Sequence, residues 1–218
     1  MAPSATAEQA FLQALLLRRC VPRGDADEMW RRLRGVVCAR GAAADGTPPF
    51  AHETATESAS MDATVAAINA DLAPVHLEIR TAHDQTTSSA FLVLVNTKAD
   101  SLAEVATPYS AVELGFVKGV IETIFTAPAD RFSVSSTAAL QLATHLPSSL
   151  TKRAAAGLLR NLELREWLQL SRTSGHYTLT ARALSELDTY IRAEFEEHIL
   201  VCTACYELVT IDQVEGEV

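Results

Sequence analysis

Two cysteines near the end of the chain, Cys202 and Cys205 in "VCTACYEL" (201–208), have the spacing that opens a zinc knuckle. A thiolate pair two residues apart can fill two of the four corners of a closed tetrahedral zinc site. No cysteine or histidine follows before Val218, and the nearest upstream histidines are His176 and His198. His176 falls in a predicted strand. His198 falls at a predicted helix end, where an imidazole meets the terminal carbonyls. From residue types alone, the pair is either half of a metal site or two partly buried thiols.

Other chemistry is sparse. The chain has no phosphate-cradling glycine loop, no G-x-S-x-G and no H-E-x-x-H. Glu194, Glu196 and Glu197 read as a solvated helix end. Asp25, Asp27 and Glu28 sit where a helix's first turn welcomes negative charge. Cys20 and Cys38 read as small core hydrophobes, and Trp30 and Trp167 as core aromatics. Four cysteines, two of them isolated, make no disulfide framework and fit a reduced compartment.

Composition bounds the rest. With 48% hydrophobic residues in 218, a sizeable core is within reach, in one large domain or two modules. The apolar run "AFLQALLL" (10–17) stops at Arg18 and Arg19, so neither a secretory signal nor a membrane span is expected. The net charge of −9 is uneven. Residues 1–40 carry seven Lys/Arg against four Asp/Glu, whereas residues 41–150 carry four against twelve. Nucleic-acid affinity rests largely on cations at phosphates, so any such role needs a local basic face.

The elements that must position the cysteines follow from periodicity. A helix is predicted over about 6–19, with Phe11, Leu12, Leu15 and Leu16 on one stripe. Pro22 and Gly24 end it. Asp25 caps a second helix, about 25–38, and the aperiodic stretch 40–60 reads as a flexible loop. Ser60 caps a third helix, about 61–72, ended by Pro74. Then the period changes to two: "VHLEIR" (75–80) and "AFLVLVN" (90–96) flank a polar loop and predict a hairpin. Three helices and a hairpin are the order of a winged-helix module. The order recurs over about 109–126, 136–145, 150–164 and the strands 166–171 and 176–180. Thr180 caps a last helix, about 181–197, which runs on toward Cys202.

The expected fold class is therefore mostly α with small β-hairpins (α+β): tandem winged-helix modules followed by a C-terminal helix. The expected boundaries are 1–106 for the first module, 107–180 for the second, 181–200 for the connecting helix and 201–218 for the segment with the cysteines. In a winged helix the third helix enters the major groove. The first module's third helix, "MDATVAAINADL", holds Asp62 and Asp71 and no Lys or Arg. The second module's carries Lys152, Arg153 and Arg160. The charge favours protein docking over DNA contact. The alternative, from the fold order alone, is a winged-helix DNA-binding or transcription-type protein. Phe11, Leu12, Leu15 and Leu16 form an apolar face broad enough to serve as a partner interface, rimmed by Arg18 and Arg19.

Four stretches carry a family likeness: "EQAFLQALLLRRCV" (8–21), "INADLAPVHLEIR" (68–80), "FLVLVNTKADSLAEVAT" (91–107) and "GHYTLTARALSELDTYIRAEFEEHILVCTACYELV" (175–209). They resemble the non-SMC element one family, a subunit of the structural-maintenance-of-chromosomes five/six complex. The most specific part is the last, where an aromatic-Thr-Leu segment leads through an arginine-bearing helix to the Cys-x-x-C. Ala181 stands where the family often has glycine. The resemblance implies tandem winged helices followed by a variant RING domain, and a MAGE-type partner that together with this subunit holds a kleisin subunit. It further implies ubiquitin-ligase activity with a ubiquitin-conjugating enzyme, and work in DNA repair in the nucleus. By that likeness Cys202 and Cys205 are the first ligand pair of a RING-type zinc site in the intact protein. The chain then reads as a form cut just after the RING begins, expected to hold no zinc of its own and to be inactive as a ligase.

Overall fold

The computed structural model describes residues 6–45, 61–98, 109–145 and 150–210, with side chains of 37–45, 130 and 145 left aside. The chain divides into two units. The first holds residues up to Thr81 and Ser89–Thr97; the second holds Ala82–Ser88 and everything from Lys98 on.

In the first unit, helix α1 (Ala7–Arg18) is followed by strand β1 (Cys20–Pro22), helix α2 (Arg23–Asp45), helix α3 (Met61–Leu72) and strands β2 (Leu77–His83) and β3 (Ala90–Asn96). The sheet order is β1-β3-β2, with β1 antiparallel to β3 through Cys20 opposite Val93. Thr6 opens α1 with a capping box: its hydroxyl accepts from Gln9 N, and the Gln9 side chain accepts from Thr6 N. Phe11 and Leu15 of α1 pack with Val21, Trp30, Ile68, Leu72, Ile79, Leu92 and Leu94. Phe11 meets Trp30 edge-on, with ring centroids 5.7 Å apart. Asn69 locks α3 to β2, donating to Ile79 O at 2.9 Å and accepting from Ile79 N at 2.7 Å.

The second unit repeats the order. Helix α4 (Ala111–Phe125) leads through strand β4 (Val134–Ser135) to helices α5 (Ser136–His145) and α6 (Lys152–Leu164), then strands β5 (Leu168–Leu170) and β6 (His176–Leu179). Its sheet order is β4-β6-β5. Ser110 and Glu113 form a capping box on α4, and Thr151 caps α6. The described residues end in helices α7 (Ala181–Glu186) and α8 (Asp188–Glu194), a 3-10 turn (Glu196–His198) and a hairpin of β7 (Leu200–Val201) and β8 (Leu208–Val209).

The expected class, mixed α and β with small antiparallel sheets, is what the structure has. Several details differ. Each sheet has a third, short strand, β1 and β4, that periodicity missed. Helix α2 begins at Arg23, so Asp25 lies in its first turn, and it runs to Asp45, into the stretch read as a loop. The remainder of that loop and the Ser60 cap lie outside the described residues, as does the Cys38 side chain. Helix α6 is capped by Thr151 and begins at Lys152, two residues past the expected start near 150. The single helix expected over 181–197 is two, broken at Leu187 (φ −96°, ψ 4°). Those helices are no free connector: Leu184, Leu187, Ile191 and Phe195 are buried with Phe116, Ile124 and Trp167 in the second unit's core. Among the described residues, no helix is long and apolar enough to cross a membrane.

Candidate functional site

Cys202 and Cys205 lie in the tight turn between β7 and β8. Tyr206 N donates to Cys202 O and Cys202 N to Glu207 O, both at 2.9 Å. The turn closes with Tyr206 in the left-handed region at φ 60°, a conformation that favours glycine and that a bulky residue takes only when its surroundings enforce it. The enforcing contacts are visible. Arg192 on α8 donates to Tyr206 O at 2.7 Å while its Nε donates to Asp188 at 2.8 Å. From the other side, the hairpin tip Ala82–Ser88 reaches β8. Gln85 donates to Leu208 O at 2.6 Å and accepts from Thr210 N at 2.8 Å, as a neighbouring strand would. His83 Nδ1 sits 3.0 Å from a Glu207 carboxylate oxygen.

The two sulfurs differ in kind. Backbone amides of Cys205 and Ala204, then the Cys205 thiol, donate to the Cys202 sulfur and hold its pKa below the ordinary thiol value. The Cys205 thiol is pushed up. The Glu207 amide favours its thiolate, but its own bond to the Cys202 sulfur and the nearby Cys202 and Glu207 charges outweigh that. Cys202 is half-buried and Cys205 exposed. A turn whose amides point at a sulfur suits a metal thiolate, because the same amides stabilise the thiolate once the ion replaces the proton. The donor set fits half of a tetrahedral zinc site. His176 bonds Ser133 through Nδ1 at 3.2 Å, and His198 ends the exposed 3-10 turn. Neither joins the sulfurs: among the described residues, no three of His, Cys, Asp or Glu are grouped to hold a metal.

The four residues of the expected partner face part company. Phe11 and Leu15 are wholly buried in the first unit's own core, which removes them from any docking surface. Leu12 packs partly against that core. Leu16 is 42% exposed, and beside it Leu17 is 86% exposed. The sequence reading missed Leu17 because it falls off the α1 stripe. That is also what leaves it uncovered.

A family model for the Nse1 non-SMC component of the SMC5-6 complex matches residues 8–187. The chain belongs to this family. The match spans both units and stops short of the cysteine turn. The fission yeast (Schizosaccharomyces pombe) protein "Non-structural maintenance of chromosomes element 1" is 28% identical over 153 residues, 70% of this chain and 65% of that protein. The human homolog is 27% identical over 143 residues, 65% of this chain and 52% of that protein. The chain thus aligns with between about half and two thirds of the length of these Nse1 relatives. A solved Nse1-Nse3-Nse4 complex contains a chain of the same fold, with TM-score 0.75 and 23% identity over 97% of this chain and 84% of that one.

Proposed function

We propose that this Nse1-family chain is a docking subunit whose two modules are winged helices that bind other subunits rather than DNA. The expected partners are a MAGE-type subunit and, with it, a kleisin-type subunit, in a nuclear chromosome-maintenance and DNA-repair complex. The observation that carries this reading is the family match over residues 8–187, which covers the two modules. The charge layout supports it. In the first module, Arg31 and Arg32 are engaged by Glu28 at 2.6 and 2.7 Å, and Arg23 by Asp62 on α3 at 2.8 Å. A helix whose acids hold the nearby arginines is a poor phosphate reader. That the solved relative sits in a complex with Nse3 and Nse4 supports the choice of partners.

The cysteine turn is read as the opening of a RING-like zinc domain, which brings ubiquitin transfer where the full ligand set is present. Zinc would supply a structural crosslink that fixes the turn for a ubiquitin-conjugating enzyme. With two sulfur ligands, this chain by itself is expected to carry less than one zinc per molecule by elemental analysis and to promote no ubiquitin transfer. One tightly held zinc per chain, with no partner present, overturns that part of the reading. The docking reading is tested by co-purification with a MAGE-type subunit and, in parallel, by titration with duplex DNA. Stable co-purification with weak, salt-sensitive DNA binding is the expected result. Tight DNA binding without co-purification favours the DNA-binding alternative.

A further inference from the structure

On strand β6 the two-residue period sends Tyr177 and Leu179 into the core. The intervening His176 and Thr178 therefore face outward, where they floor an open pocket of about 370 Å³. Its walls come from three other segments of the second unit. The loop before β4 brings Arg131 and Ser133, the β5–β6 turn brings Ser171 and Ser174, and the end of β8 brings Thr210. Arg131 is exposed while His176, Thr178 and Thr210 are half-buried. Among the described residues, no carboxylate lines the pocket. Its volume lies within the range of about 300–1,000 Å³ usual for small-ligand sites.

The lining chemistry is one-sided. One arginine, one histidine and five hydroxyl-bearing side chains line it, and among the described residues none that lines it carries a negative charge. Hydroxyls and Arg together satisfy phosphoryl oxygens through several short, charge-assisted bonds, with the planar Arg fork matching two oxygens at once. The pocket is also partly organised in advance: Ser133 Oγ lies 3.2 Å from His176 Nδ1, which leaves Nε2 of the ring as the remaining polar atom. Gln85 bonds Thr210 N at 2.8 Å and holds the far wall. An acceptor-only ligand would draw the lining hydroxyls into donating.

The geometry points to a binding site for a single phosphoryl group carried on a protein segment, a phosphoserine or phosphothreonine side chain. A polynucleotide suits it less well. A row of phosphates needs a track of cations, and one arginine lines this concave pocket in a chain of net charge −9. A phosphomonoester is compact and carries close to two charges near neutral pH, so one Arg and a ring of hydroxyls can meet its oxygens.

The test is an NMR titration of the isotopically labelled full chain with three probes: inorganic phosphate, O-phosphoserine and duplex DNA. Unmodified serine is the control. Phosphate and phosphoserine are expected to shift the His176 ring and the Ser171–Gly175 amides saturably, and serine to shift none of them. Arg131→Ala removes an exposed side chain, so its spectrum remains that of the folded protein. It should weaken phosphoserine roughly tenfold, the loss of one charged hydrogen-bond partner. Thr178→Val, which removes a hydroxyl and keeps the strand, should weaken it by less. Two results overturn the proposal: no saturable shift at these residues, or shifts that Arg131→Ala leaves unchanged. A third does so as well, namely duplex DNA shifting the same signals more tightly than phosphoserine at physiological salt, which assigns the pocket to nucleic acid.

Discussion

The two units are built in the same order, α-β-α-α-β-β, yet they solve the surface problem differently. The second has two extra helices, and α7 and α8 bury Leu184, Leu187 and Ile191 in the same core as Phe116, Val120 and Ile124 of α4. The first has no such cover among the described residues, and its α1 leaves Leu16 and Leu17 exposed beside Arg18. The same architecture therefore leaves apolar side chains exposed in different places: on the first helix, at Leu16 and Leu17, in the first unit, and at Leu164 and the C-terminal hairpin (Leu200, Val201 and Tyr206) in the second. Polar burial differs too. The ion pairs of the first unit ride on the surface. The second buries one, Arg182 with Glu186 at 2.6 Å, with side chains 14% and 5% exposed.

Emptying each core should have the largest effect. Phe116 on α4 and Phe11 on α1 are both fully buried. Truncating a buried Phe to Ala costs about 3–5 kcal/mol. Hydrogen exchange should place the loss locally: Phe11→Ala exposes amides of α1–α3, and Phe116→Ala exposes those of α4 together with α7 and α8. If Phe116→Ala leaves α7 and α8 protected, they are not part of the second core.

The buried ion pair comes next. Arg182 lies over the Trp167 ring at 5.4 Å and donates to Arg165 O at 2.8 Å while it holds Glu186. Glu186→Ala strands a largely buried cation and should cost about 3 kcal/mol in thermal or denaturant unfolding. Replacing both partners together (Arg182→Met with Glu186→Leu) should recover much of that. Arg32→Ala on the first unit's exposed Glu28 pair should leave stability nearly unchanged. Equal costs for Glu186→Ala and Arg32→Ala would erase the distinction. The arginine that marks the family-like segment after Tyr177 is thus, in this structure, a core-fixing residue.

Leu16 and Leu17 test what the exposed apolar surface of α1 is for. Leu17→Ala should leave unfolding of the chain alone nearly unchanged, since the side chain is 86% exposed. It should weaken a MAGE-type heterodimer by about 1–3 kcal/mol, as an apolar contact at an interface does. Leu12→Ala, half-buried against the core, should lower stability instead. Normal binding by both Leu16→Ala and Leu17→Ala moves the docking surface off α1.

How much of this was legible in the sequence divides along physical lines. The long amphipathic helices and the Val/Leu-rich strand 90–96 announce themselves, because burial imposes a period over many residues. Strands β1 and β4 do not. With three and two residues they are too short for a period, and "CVP" ends in a proline that suits only an edge, which is where β1 pairs. The break at Leu187 carries no glycine or proline. It is set by tertiary packing of a fully buried leucine, which periodicity cannot register. The cysteine pair was readable from spacing. Its supports, Arg192 and Gln85, were not, since Gln85 stands more than a hundred residues away and meets Leu208 and Thr210 chiefly through their backbone.

One signal common to both units was readable and passed over: "TAEQ" at 6–9 and "SAVE" at 110–113 are each a capping box. The pair is a controlled experiment, because the reciprocating residue is Gln9 in one and Glu113 in the other. Removing the cap hydroxyl, by Thr6→Ala or Ser110→Ala, should cost about 1 kcal/mol in either unit. The pH response should differ. The Ser110 backbone amide, then its hydroxyl, hold Glu113 below its ordinary carboxylate value. A carboxylate whose folded pKa is depressed contributes stability above its unfolded value, near 4.3, and loses it as pH falls through the folded one. Amide exchange at the start of α4 should therefore speed up relative to α1 as pH drops from neutral into that range, after correction for intrinsic exchange rates. Glu113→Gln copies the arrangement of α1 and should abolish the difference. If α4 keeps its acid sensitivity with glutamine in place, the capping carboxylate is not its source.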